Sequence, residues 1–126
     1  MCLVTNTPIP TILDKDLVVY KVLYKLGSRI YSIYQDYRYD IGKIYHDEEI
    51  GMEPIDEDQR LGYRVFEAYH ACTTLDRANE HLDTGIKCHI YKCIIPKGSK
   101  VFFDRDCDDI ASDTIIIKRR LWFNRF

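Results

Sequence analysis

His70 and Cys72 stand two residues apart in GYRVFEAYHACT, residues 62–73, just ahead of a helix-start pattern. On a strand that spacing puts imidazole and thiol on one face, and the positive end of a following helix favours the thiolate. Such a pair has the parts for nucleophilic chemistry. The competing account is a small buried thiol beside a histidine that hydrogen-bonds at the strand end. Zinc is the other chemistry open to these residue types, with Cys88 and His89 as further ligands. However, the chain has neither C-x₂-C pairs nor an H-E-x-x-H helix, and adjacent Cys88 and His89 would face opposite ways on a strand. The acidic run Asp104, Asp106, Asp108 and Asp109 lacks EF-hand order, with Asp109 where glycine is needed and Ile115 where glutamate is needed. These spacings lead us to expect no metal and no cofactor.

Two other segments mix aromatic and basic groups. YSIYQDYRYDIGKIY, residues 31–45, carries five tyrosines. Tyr37, Tyr39 and Tyr45 share strand parity with Ile33 and Ile41, so at least some of them read as core rings that reach water by their hydroxyls. Tyr34 and Arg38 fall on the polar parity with Asp36 and Asp40, and with Tyr31 they are the groups expected to face a groove. The tail KRRLWFNRF, residues 118–126, joins Arg119 and Arg120 to Trp122, Phe123 and Phe126. Arginines and rings so interleaved can hold phosphates and stack bases, or form a subunit interface, or simply end a strand with tryptophan over the core. A net charge of −2 argues against nucleic acid as the main partner.

The elements that must position these groups can be read from the same chain. Its 126 residues suit one domain, 1–126, with a core that needs no disulfide. Apolar residues at 46% and charged residues at 30% exclude a disordered or collagen-like chain. Five cysteines without repeated spacing suit free thiols in a reducing compartment. The start has no basic n-region and no apolar run approaches the roughly 18 residues of a membrane helix, so a cytoplasmic protein without a membrane partner is expected.

Residues 1–15, with Pro8 and Pro10, should form an extended arm across the surface. LVVYKVLYKL, residues 17–26, reads as a strand, and residues 37–45 as another. HDEEIGMEPIDEDQRL, residues 46–61, holds seven carboxylates with Gly51 and Pro54 as breakers, and reads as a solvated acidic loop. Residues 62–73 suit one short strand. Thr73 stands three residues before Asp76, with Leu75, Ala78 and Leu82 on one face, which predicts the main helix at about 74–84, stopped by Gly85. IKCHIYKCII, residues 86–95, suits a strand covered on both faces. Pro96 and Gly98 fit the second and fourth positions of a type I turn into a hairpin with residues 100–103. DRDCDD, residues 104–109, is a charged loop, and DTIIIKRR, residues 113–120, the last strand. The sum is an α+β domain with a mostly antiparallel sheet of five or six strands.

In order, VVYKVLYK, YRYDIGKIY, AYHACTTLDRANEHL, IYKCIIPKGSKVFF and IASDTIIIKR resemble a set of small proteins of gut bacteria and their tailed phages, over nearly the whole chain. More distantly, the order is similar to the ADP-ribosyltransferase-like fold. That fold has a first strand of type Y-R-G, a Ser-Thr-Ser strand with an alanine-bearing helix, a strand ending I-P-x-G and a strand opened by Glu-x-Glu. The resemblance sets Tyr20-Lys21 at the first motif, His70 to Thr74 near the second, and Ala111-Ser112-Asp113 at the third. Lysine then stands for the NAD-gripping arginine, Val22 for the glycine, and Ala111 and Asp113 for the two glutamates. A transferase needs a carboxylate to stabilise the developing oxocarbenium charge. The resemblance therefore implies a degenerate ADP-ribosyltransferase-like fold, with Asp113 and His70 as the catalytic residues if it is an enzyme.

The layout is also similar to small phage proteins that sequester nucleotide immune signals. That likeness implies ligand binding by Lys21, Tyr31, Tyr34, Arg38, His70, Arg119 and Arg120, with rings stacking a base and arginine forks holding phosphate. Three readings stand. One is a non-catalytic binder of a nucleotide or ADP-ribose-derived ligand in the cytoplasm of a bacterial host. Another is a protein-interaction module or inhibitor acting through the tail residues Trp122, Phe123 and Phe126, with a homo-oligomer also open. The last is an NAD-dependent transferase.

Overall fold

The computed structural model describes residues 3–33, 37–57, 60–82 and 87–122. These form thirteen strands and one short helix. The strands are β1 (Leu3–Thr5), β2 (Thr11–Ile12), β3 (Leu17–Leu26), β4 (Arg29–Ser32), β5 (Arg38–Tyr39), β6 (Ile44–His46), β7 (Gly51–Glu57), β8 (Arg60–Glu67), β9 (Tyr69–Cys72), β10 (Cys88–Ile95), β11 (Lys100–Phe103), β12 (Asp109–Ser112) and β13 (Thr114–Arg120). The helix, α1, spans Leu75–Glu80. A ten-stranded sheet runs β2-β11-β12-β9-β3-β10-β13-β6, with β4 paired to β3 and β5 to β4; a three-stranded sheet runs β1-β8-β7. The class is α+β and mostly antiparallel. The strand count exceeds the expected five or six because segments as short as β2 and β5 carry no periodicity of their own.

β3 is the axis of the large sheet. Its β-branched and apolar positions suit a strand covered on both faces, and Val19 and Leu23 are fully buried. β10 lies along its whole length, from Cys88 opposite Tyr24 to Ile95 opposite Leu17. The main core gathers Val19, Leu23, Cys93, Ile95, Ile115 and Ile117 with the rings of Tyr39, Tyr45, Tyr69 and Tyr91. Each fully buried aliphatic side chain of this kind contributes about 1.5–3 kcal/mol. The rings of Tyr39 and Tyr45 meet edge to face at 5.0 Å between centroids.

The other edge of β3 is shared. β9 pairs with it only at Tyr20, opposite Cys72, while β4 pairs with it from Leu23 to Leu26. Lys21 and Val22 lie between these two partners, where the sheet divides.

Several expectations need correction. The expected solvated loop 46–61 is corrected at Gly51–Glu57, where β7 forms and pairs with β8. β7 is the edge of the small sheet, a place where Pro54 leaves no ladder bond unmade and carboxylates can face water. Glu53 is one such carboxylate, held by Arg64 at 2.9 Å. The arm 1–15 is extended as expected, yet β1 adds to β8 and β2 to β11, so Leu3 is buried rather than on the surface.

Residues 37–45 are two short strands. Gly42 turns the chain with φ 85°, and the Asp40 amide donates to the Tyr45 hydroxyl at 2.6 Å. Residues 62–73 divide at Ala68 between the two sheets. The hairpin from β10 to β11 does not form, since β10 lies between β3 and β13 while β11 pairs with β12 and β2. The turn itself runs from Pro96 to Ser99, whose amide donates to the Pro96 carbonyl at 3.1 Å, so Gly98 takes its third position with φ 89°.

α1 is shorter than expected, and its cap is Thr74, whose hydroxyl accepts from the Arg77 amide at 3.2 Å. Thr73 instead donates its hydroxyl to the Asp108 carbonyl at 3.3 Å. Gly85, the expected stop, lies outside the described residues. Among the described residues, no helix is long and apolar enough to cross a membrane.

Candidate functional site

The division of the large sheet opens a cleft. It is lined from β3 by Lys21 and Val22, from the β4 side by Ser32, Ile33 and Tyr39, and from the β9 side by Ala68, His70, Ala71 and Cys72, with His81 at the end of α1. It encloses about 590 Å³ including the part open to solvent. The space that admits the centres of water-sized molecules is about 50 Å³, and at about 10–15 Å³ per water that interior holds roughly four waters. One ring or one phosphate fits there, with the rest of a ligand toward solvent.

Lys21 shares strand parity with fully buried Val19 and Leu23, so its stem runs on the core face and its ammonium arrives at the cleft. The ammonium donates to the His70 carbonyl and lies 5.7 Å from the centroid of the Tyr39 ring. No carboxylate pairs with it among the described residues. Burial holds its pKa below the usual lysine value. A desolvated cation beside a cleft is a site that an anion would neutralise.

His70 supplies the complementary group. Its pKa is lowered to about 4, chiefly by burial and then by the charge of Lys21. The ring is therefore neutral at neutral pH. Nε2 lies 3.5 Å from the Phe66 carbonyl, while buried Nδ1 has no hydrogen-bond partner among the described residues. With the proton on Nε2, Nδ1 is an acceptor open to a ligand beside the Lys21 ammonium, which has donors beyond the one given to the His70 carbonyl. The Tyr39 hydroxyl is kept neutral, its pKa raised first by burial and then by its tyrosine neighbours.

On the helix side of the cleft, Cys72 sits opposite Asp109 in the β9–β12 register. Asp109 is buried and gripped by the Arg77 fork, Nε to Oδ1 at 3.0 Å and Nη2 to Oδ2 at 3.1 Å. Burial alone would push this carboxyl up, but the Arg77 fork and the Cys107 thiol outweigh it and hold its pKa below the usual range. The Cys72 thiol is pushed up to about 12 by burial and by Asp109, so it is not an activated nucleophile. Atoms of Cys72, His81 and Asp109 that can ligate a metal lie within 4.8 Å of one another. Sequence spacing gave no sign of this trio, because Asp109 reaches Cys72 only through strand pairing.

Of the residues singled out from sequence, Lys21, His70 and Cys72 meet in the cleft. The other candidate site residues lie elsewhere or outside the described residues. Tyr31 stacks on Tyr24 with centroids 5.4 Å apart. Arg38 is exposed on β5, 3.5 Å from Asp40. Asp113 is buried where its Oδ1 accepts from the Lys100 amide at 3.1 Å and the Thr114 hydroxyl at 2.9 Å. Arg119 and Arg120 end β13, where the Arg120 guanidinium lies 3.6 Å from the ring centroid of Trp122. Trp122 is 73% exposed. Tyr34, Phe123 and Phe126 lie outside the described residues. The sequence reading missed the cleft roles of Tyr39, which it placed only in the core, and of His81, which carries no motif. Compared with known proteins, the chain matches no family model, no curated protein and no solved structure.

Proposed function

We propose that the protein binds a small anionic ligand of nucleotide or ADP-ribose type in the cleft between β4 and β9 and holds it without changing it. The observation that carries this reading is Lys21, an ammonium taken out of water beside a cleft with no carboxylate partner among the described residues. A ligand phosphate would neutralise it, a sugar hydroxyl or base N–H would donate to His70 Nδ1, and the Tyr39 ring would pack against a planar group. The similarity to the ADP-ribosyltransferase-like fold puts Lys21 at the NAD-gripping position and supports the same ligand class.

Binding without turnover is favoured by the state of the reactive groups. Cys72 is a protonated thiol, and Asp113 is spent on an amide and a hydroxyl. Sequestration of a nucleotide signal in the cytoplasm of a bacterial host is the biological role we assign to such a binder, in line with the resemblance to phage and gut-bacterial proteins. The test is calorimetric titration with NAD, ADP-ribose, cyclic ADP-ribose isomers and cyclic di- and trinucleotides, followed by mass spectrometry of ligand released on denaturation. Stoichiometric uptake and unchanged ligand are expected; released nicotinamide or a cleaved ligand would make the protein an enzyme.

A second reading rests on Trp122, an exposed ring covered on one side by Arg120. Tryptophan and arginine anchor interfaces, so a protein partner or a second copy of the chain would dock there. Trp122→Ala should abolish that association and leave ligand uptake intact.

A further inference from the structure

We propose that Cys72, His81 and Asp109 form a binding site for one zinc-class divalent cation, with its remaining coordination directed to the cleft. The trio offers sulfur, nitrogen and oxygen, the donor set that zinc accepts and that magnesium or calcium does not. It is also a buried set, with Cys72 and Asp109 enclosed and His81 partly so.

Two independent observations point to an ion. The first concerns His81 Nε2, which is buried and has no hydrogen-bond partner among the described residues, although Asp109 Oδ1 is near. Their separation is 3.8 Å, too long for a hydrogen bond. Two ligands of a tetrahedral ion, each about 2.1 Å from it, stand about 3.4 Å apart, so a movement of about 0.4 Å would bring this pair into range. The second concerns Asp109, whose Oδ1 accepts from Arg77 Nε and whose Oδ2 accepts from Arg77 Nη2 and from the Cys107 thiol at 3.3 Å. The Cys72 thiol also hydrogen-bonds to this carboxylate, so Cys72 and Asp109 already converge and an ion would replace the thiol proton between them.

Arg77 and Cys107 then hold the carboxylate in orientation, as partners of metal ligands commonly do. Arg77 also neutralises Asp109, which sets the affinity below that of an all-cysteine zinc site. Three protein ligands leave a fourth position, and because Cys72 and His81 both line the cleft, that position is open to a water or a ligand oxygen. The proposal does not rest on the ligand reading above.

The experiment is titration of the chelator-treated full chain with Co²⁺, read by thiolate-to-cobalt absorption, with Zn²⁺ as competitor and no nucleotide present. One equivalent of Co²⁺ should bind, develop the thiolate band and be displaced by Zn²⁺. Cys72→Ser should lose the band, His81→Gln should weaken binding by at least about tenfold, and Cys88→Ser should behave as the parent. Absence of a thiolate band in the parent chain, a band retained in Cys72→Ser, or unchanged affinity in His81→Gln would each overturn the site. If Cys72→Ser does not fold, His81→Gln decides, because His81 sits at the end of α1 and its loss leaves the sheets intact.

Discussion

Lys21 and His70 both line the cleft, and the Lys21 charge adds to burial in holding the His70 ring neutral. Burying an unpaired charge costs stability unless something neutralises it. Lys21→Met should therefore stabilise the ligand-free protein, by about 1 kcal/mol or more, while abolishing ligand uptake; urea titration and calorimetry on the same variant check both. The sign for His70 follows from its lowered pKa. Below its unfolded value near 6.5 the unfolded chain takes up a proton that the folded chain refuses until about pH 4. Stability falls as pH drops through that window, by up to about 3 kcal/mol from this group, and His70→Gln should flatten the pH 4–6.5 portion of a stability profile. Lys21 was picked out by the resemblance alone, at the position of the NAD-gripping arginine, and its place between the core positions Val19 and Leu23 emerged with the structure. His70 was visible as the same-face partner of Cys72, and nothing local to it indicated Lys21 as its neighbour.

The helix is too short to be stable by itself and is fixed by what it touches. Thr74 caps it, Ala78 packs under it, and the Arg77 fork ties it to Asp109 of β12. Arg77→Met leaves a buried carboxylate unpaired and should cost about 3–5 kcal/mol, whereas Thr74→Ala removes one cap bond and should cost about 1 kcal/mol; chemical denaturation distinguishes the two. Legibility followed the same division between local and distant causes. β3, β10 and β13 declared themselves because their apolar runs are long and their neighbours cover both faces. β7 did not, because an edge strand tolerates a proline and outward carboxylates that resemble a loop. β12 was unread because IAS is too brief to show a period, and its burial is imposed by β9 and β11 on either side.

At the scale of the molecule, two antiparallel sheets meet where Leu3 and Val65 of the small one pack on Phe102 and Ala111 of the large one. The tyrosines at 37, 39 and 45 form an edge-to-face group with Tyr69 next to the division in the large sheet. Within the ring-rich stretch, Ser32, Ile33 and Tyr39 line the cleft, and Tyr39 and Tyr45 are buried as expected. Tyr37 and Ile41 share their parity yet are 40% and 58% exposed, because the turn at Gly42 breaks the strand that would have covered them. A cleft built this way is formed in advance, so binding should add stability by mass action with little change of shape. The direct measurement is thermal unfolding with each nucleotide of the panel, on the parent chain and on Lys21→Met. For at least one ligand at about a hundred times its dissociation constant, the account predicts about 2.7 kcal/mol of added stability and a rise of roughly 10 °C in Tm, absent in Lys21→Met. A parent Tm that no ligand moves, or a shift of equal size in Lys21→Met, would contradict it.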